Sequence, residues 1–168
     1  MPLIDTSGEA LADSWRQLAD DEAVPGDDSP IVVSYDRWFA EQETLARRNA
    51  PLGLAVTNTQ SVERLNGDVN RFDLITLNFP KFSDGRAYSQ ARILRERLGY
   101  RGALRATGNV LLDQLMFMLR SGFDQFDTAK PVSAEAFRRN VGRFTAFYQP
   151  AADGAEPVFR RRLHGQGA

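Results

Sequence analysis

The stretch from Leu74 to Ala106, LITLNFPKFSDGRAYSQARILRERLGYRGALRA, decides the architecture. It opens on Leu74-Ile75-Thr76-Leu77 and closes on Ala103-Leu104-Arg105-Ala106, two short apolar runs of strand character. Between them lies a loop of turn formers, then Arg86 to Leu98, where Ala87, Ala91, Leu94 and Leu98 recur at helical spacing. Strand, helix and strand over roughly 30 residues make one βαβ unit with parallel strands.

The alternation extends in both directions. Upstream, Ile31-Val32-Val33 is a strand, and Ser34 caps a helix with Trp38, Gln42 and Leu45 on one side. Leu52 to Val56 is the next strand, followed by a helix near Ser61 whose Val62, Leu65 and Val69 share a face. Downstream come a helix from Val110 to Arg120 closed by Gly122, a strand from Phe123 to Phe126, and a last helix starting near Ser133. Phe137, Val141, Phe144 and Tyr148 follow helical spacing in that helix. The expectation is an α/β fold: a single domain of about five βα units with a parallel sheet, open and doubly wound or partial-barrel-like, the first preferred. It spans residues 31–148. Residues 1–30 form an acidic leader, partly ordered, with a short helix from Ala10 to Leu18, and residues 149–168 form a mobile tail carrying Arg160-Arg161-Arg162.

Composition narrows the chemistry. The 168 residues, 42% hydrophobic, suit one core, and the chain has no cysteine and a single histidine, His164. Disulfides, thiolate nucleophiles, cysteine-bound zinc and cluster ligation are excluded. A triad, a multi-histidine metal site or a haem ligand would rest on one side chain in a Gly-rich tail. No metal site and no cofactor is evident, because no G-x-G-x-x-G follows a strand and no Walker lysine motif occurs. No run reaches the roughly 18 apolar residues of a membrane span. The first residues are acidic where a signal peptide needs bases, so a cytoplasmic location is expected.

The net charge of −1 is unevenly spread. Residues 1–30 hold eight acids against Arg16 alone, and residues 81–120 hold eight bases against three acids. Such asymmetry fits an anion-binding face, an acidic partner or a solvated helix. Arg92, Arg95 and Arg97 belong to the solvated face, Arg92 and Glu96 being spaced for an ion pair. Nucleic acid is not an expected partner, since a stacking platform is missing and the overall charge is negative. In the 110–120 helix, Leu111, Leu112, Leu115, Met116, Met118 and Leu119 make a wide apolar surface, which serves the core or a contact between copies of the chain.

Ligands of parallel α/β folds gather beyond the C-terminal ends of the strands. After Leu74–Leu77 comes Asn78-Phe79-Pro80-Lys81-Phe82-Ser83-Asp84-Gly85-Arg86, in which aromatics flank a lysine before an acid, a glycine and an arginine at a helix mouth. Asp84 or Ser83 caps that helix, Gly85 permits close backbone approach, and Lys81 and Arg86 are spaced to clamp an anion. After the next strand comes Arg105-Ala106-Thr107-Gly108-Asn109, supplying a second arginine and a Gly-Asn helix start. The alternative is that Arg86 and Arg105 pair with nearby acids and serve packing alone.

The runs from Phe79 to Arg92, Leu94 to Gly102, Leu104 to Gly108 and Asp113 to Asp124 resemble the bacterial family catalogued as domain of unknown function 934, over roughly residues 24–148. The residues carrying the resemblance include Lys81, Asp84, Gly85, Arg86, Tyr88, Arg105, Gly108, Asp113 and Arg120. Asn109 stands where that family commonly has aspartate, and Ser121 where it often has cysteine. The resemblance implies an association with assimilatory sulfite reduction, with the sulfite reductase haemoprotein as partner, and the label of oxidoreductase. A chain without cysteine or a dinucleotide fingerprint fits an accessory role better, as a docking or electron-delivery helper acting through the Lys81/Arg86/Arg105 face. The alternative is a small enzyme holding a sulfated or phosphorylated anion there, with Asp84 or Tyr88 moving protons. A third is an α/β interaction module without a ligand.

Overall fold

Short β-branched and apolar runs build the centre of the molecule, whose computed structural model describes residues 2–142. Five parallel strands, β3 (Ile31–Ser34), β4 (Leu52–Val56), β5 (Leu74–Phe79), β6 (Ala103–Val110) and β7 (Gln125–Thr128), lie side by side in the order in which the chain makes them. Two further strands come from the leader: β1 (Leu3–Ile4) runs antiparallel to β7, and β2 (Arg16–Gln17) runs parallel to β3. The full order is β1-β7-β6-β5-β4-β3-β2.

This order corrects the doubly wound expectation. A doubly wound sheet reverses direction at a switch point, whereas here every parallel strand is added on the same side of the previous one. With crossovers of one hand, the connections then fall on one face, and the sheet curls into a half-barrel. A single core results. Ile31, Val33, Leu54, Ile75, Leu77, Leu104 and Phe126 point to the connecting helices and meet Trp38, Leu45, Ala91, Leu94, Met118 and Phe137.

The connections are less regular than five βα units. After β3 come α1 (Tyr35–Ala40), capped by the Ser34 hydroxyl as expected, and α2 (Gln42–Ala46). Between β4 and β5 the expected helix is replaced by two 3-10 turns, Val62–Leu65 and Val69–Arg71, because Gly67 takes φ +94° between them. Val62, Leu65 and Val69 are nonetheless buried as expected. The helix read from Arg86 to Leu98 is α3 (Arg86–Arg92) continued by a π-helical turn, Ile93–Arg97. After β6 come a 3-10 turn, Leu112–Gln114, and α4 (Leu115–Arg120), closed by Gly122 at φ +97°. Ser133 caps α5 (Ala134–Val141); Phe144, Tyr148 and the expected tail lie outside the described residues.

Two boundaries move for a physical reason. Gly108 and Asn109 do not start a helix but belong to β6, where Gly108 at φ +89° pairs with Phe79. A Cβ at Gly108 would sit 2.5 Å from the Phe79 carbonyl oxygen, so only glycine lets the two backbones meet there. The last strand starts at Gln125 rather than at the expected Phe123, and its pairing with β6 shifts register between Ala106 and Val110, which marks a bulge.

The leader departs furthest from expectation. Ala10 to Leu18 is not helical; its N–H and C=O groups serve the sheet, with the Arg16 N–H donating to Pro30 and the Leu18 N–H to Val32. Buried Arg37 donates to the Ala19 and Glu22 carbonyls, and Arg48 to those of Pro25, Asp27 and Ser29. The acid-rich segment is thus fastened mainly through its backbone.

Candidate functional site

Strand alternation places a second set of side chains on the concave face, away from the helices. Thr76 and Asn78 of β5, Arg105 and Thr107 of β6, and Gln125 and Asp127 of β7 share it with Ser34 and Ala55. A cleft of about 480 Å³ opens there toward the C-terminal ends of the strands.

The leader crosses this face from the β7 edge to the β3 edge. Asp13 reaches Arg105 of β6, and Trp15 lies over Gly53 of β4, where an added Cβ would stand 3.2 Å from the Trp15 ring. Arg105 is buried, with a side chain 8% exposed, and holds the Asp13 carboxylate through two bonds of 2.9 and 3.1 Å. Its Nε donates to Gln125 at 3.0 Å. Asp127, nearby in the same cleft, has a buried Oδ1 without a hydrogen-bond partner. Burial raises the pKa of Asp127, and the positive charges of the N-terminus and, less, of Arg105 oppose that rise.

The expected anion clamp is distributed differently. Lys81 and Arg86 do not line the cleft that Arg105 lines. Arg86 is exposed and binds Asp84 through Nε at 3.0 Å and Nη2 at 2.6 Å. Asn58 donates a further bond to Asp84 at 2.5 Å, and together these contacts hold its carboxyl well below the usual carboxylate range. Gly85 precedes α3 and has no side-chain role, while Asp84 also accepts from the Arg86 backbone N–H. Burial, with a smaller contribution from Asp113, pushes the Tyr88 phenol up to about 12, and its ring packs edge-on against Phe79. Asp84 is therefore held as the carboxylate and Tyr88 as the neutral phenol near pH 7.

Other arginines of the basic segment are also engaged. Arg92 pairs with Glu96, and Arg95 binds Asp124 and the carbonyls of Tyr100, Gly102 and Gly122. What remains prominent at the strand ends is apolar. Phe82 and Phe117 are 66% and 57% exposed, and their elements are joined where Gln114 donates to the Phe82 carbonyl at 3.0 Å. Phe117 lies one helical turn beyond Gln114.

The sequence reads Asp127 as a turn residue after the last strand, whereas it lies within β7; Asp13 and Gly53 have no assigned role in that reading. Asp127 was legible in part: T-x-N, R-x-T and Q-x-D alternate in three successive strands, the pattern of a sheet with one polar face rather than two buried ones. Asp13 carried no local signal.

Among the described residues, no helix is long and apolar enough to cross a membrane, and no three His, Cys, Asp or Glu residues are grouped to hold a metal ion. Comparison with curated proteins and with solved structures gave no match. The family comparison does match, from β4 onward, later than the start near residue 24 that the resemblance implied. The chain belongs to the family described as bacterial proteins of unknown function, DUF934, whose model matches residues 53–159.

Proposed function

We propose that this chain is a cytoplasmic accessory protein of assimilatory sulfite reduction that docks on the sulfite reductase haemoprotein through its strand-end face. The pathway and the partner rest on the family resemblance. The docking mode is supported by one observation: Phe82 and Phe117, both largely exposed, stand on elements that the Gln114–Phe82 hydrogen bond joins. Exposed aromatics of this kind are typical anchors of protein interfaces. Lys81 and the Arg86–Asp84 pair flank them as a polar rim. The rival reading, a small enzyme clamping an anion between Lys81, Arg86 and Arg105, has less support, because Lys81 and Arg86 do not line the cleft that Arg105 lines. A self-association through α4 would use the same Phe117.

The test is binding of the purified chain to the haemoprotein. Wild type is expected to bind, and Phe82→Ser with Phe117→Ser to weaken binding at least roughly tenfold, as loss of an interface anchor does. Absence of binding by the wild type, or equal binding by the double variant, would overturn the reading. Concentration-dependent dimerisation abolished by Phe117→Ser would assign the face to a second copy instead.

A further inference from the structure

The concave cleft has a feature that the docking face does not use. Arg105 is anchored in the middle of the sheet, buried and oriented by Gln125. Asp13, its carboxylate partner, belongs to the crossing leader and is 45% exposed on its side chain. A guanidinium holding one carboxylate by two parallel bonds recognises carboxylates in general. Here the chain supplies its own, on the inner face of the sheet, in a cleft that opens toward the strand ends where ligands of such sheets gather. The cleft, about 480 Å³, lies within the range of roughly 300–1,000 Å³ usual for small-molecule sites.

The remaining lining selects the ligand. Asp20, Asp36 and Asp127 line the same cleft, so a plain anion replacing Asp13 would meet three further carboxylates. A divalent cation is equally ill served, since no three carboxylates come together as ligands among the described residues. Asp127 Oδ1 is buried and unpartnered, a costly state that a hydrogen-bond donor or an ammonium group would relieve. Thr76, Asn78 and Thr107 add neutral hydrogen-bonding groups along the same floor.

We propose that the cleft binds a small zwitterion of the amino-acid class, its carboxylate replacing Asp13 on Arg105 and its ammonium pairing with Asp127. The Asp13 segment is then an internal competitor that closes the empty site and is displaced by ligand. Only non-covalent contacts are exchanged. Arg105 keeps a carboxylate partner in both states, so the buried guanidinium is never left unpaired.

Calorimetric titration of the full chain tests this, with each common L-amino acid, propionate, ethylamine and sulfate as separate probes. At least one amino acid is expected to bind saturably, and at least tenfold tighter than propionate or ethylamine, which each carry half of its recognition groups. Asp13→Ala, which removes the competitor, is expected to tighten that affinity by about tenfold. Asp127→Asn is expected to erase the preference for the amino acid over propionate, and Arg105→Gln to abolish binding. Should Arg105→Gln fail to fold, the Asp13 and Asp127 variants still decide. Failure of every amino acid to bind Asp13→Ala would overturn the proposal. So would sulfate or propionate binding as tightly as the best amino acid, which would mark a simple anion site.

Discussion

Asp127 and Asp84 show how placement governs two residues of one type. Asp84 lies at an exposed loop, its charge stabilised by Arg86 and Asn58, and such surface pairs contribute little to stability. Asp127 lies on the concave floor, where burial raises its pKa above the ordinary 3.8 despite the attraction of the N-terminal ammonium and Arg105. Its proton is therefore held more tightly in the folded chain than in the unfolded one. Stability falls as pH rises from about 3.8 through the raised folded value, because the unfolded state ionises first. Asp127→Asn is expected to raise the thermal midpoint at pH 7 and to lose that advantage at and below pH 3.8. Thermal unfolding across that pH range checks it; a uniform effect at all pH would contradict the burial argument. At this scale the turn and cap residues Ser34, Ser133 and Gly122 were legible, because capping is a local hydrogen-bonding problem. The Asp13–Arg105 pair was not, since 92 residues separate its members.

Among the elements, the leader is the one whose role differs most from its sequence appearance. Its charge and breaker content read as a peripheral segment, yet Leu3, Ile4 and Leu18 are buried and it supplies both outer strands. Leu18 is 1% exposed and packs in the main core, so Leu18→Ala is expected to cost about 2–5 kcal/mol in urea unfolding. An unchanged midpoint would show the leader to be dispensable. The helix expected over Ala10 to Leu18 fails for an energetic reason: the open edge of β3 offers its N–H and C=O groups to an extended chain, and a helix could not satisfy them. Similarly, Val62, Leu65 and Val69 were legible as buried positions but not as 3-10 turns, because their spacing fits both geometries over so short a span.

For the whole molecule, the half-barrel leaves two sheet edges and one polar face to be managed, and a single segment manages all three. β1 covers β7, β2 covers β3, and Asp13 and Trp15 lie on the face between. Removing residues 2–18 is expected to expose both edges and to increase self-association by strand pairing. Light scattering on the two chains would show it; a shortened chain that associates no more than its parent would place the edge protection elsewhere. The charge asymmetry has the same resolution, since an acid of the leader answers a base of the central sheet. The starts of β3 to β6, the buried helix stripes and one α/β core followed from the spacing of apolar residues, which depends only on neighbours along the chain. The strand order, the curl of the sheet, the passage of the leader across it and the separation of Arg86 from the Arg105 cleft were settled by tertiary structure. They arise from backbone groups and charges far apart in sequence that must find partners in space, and local periodicity carries no record of that pairing.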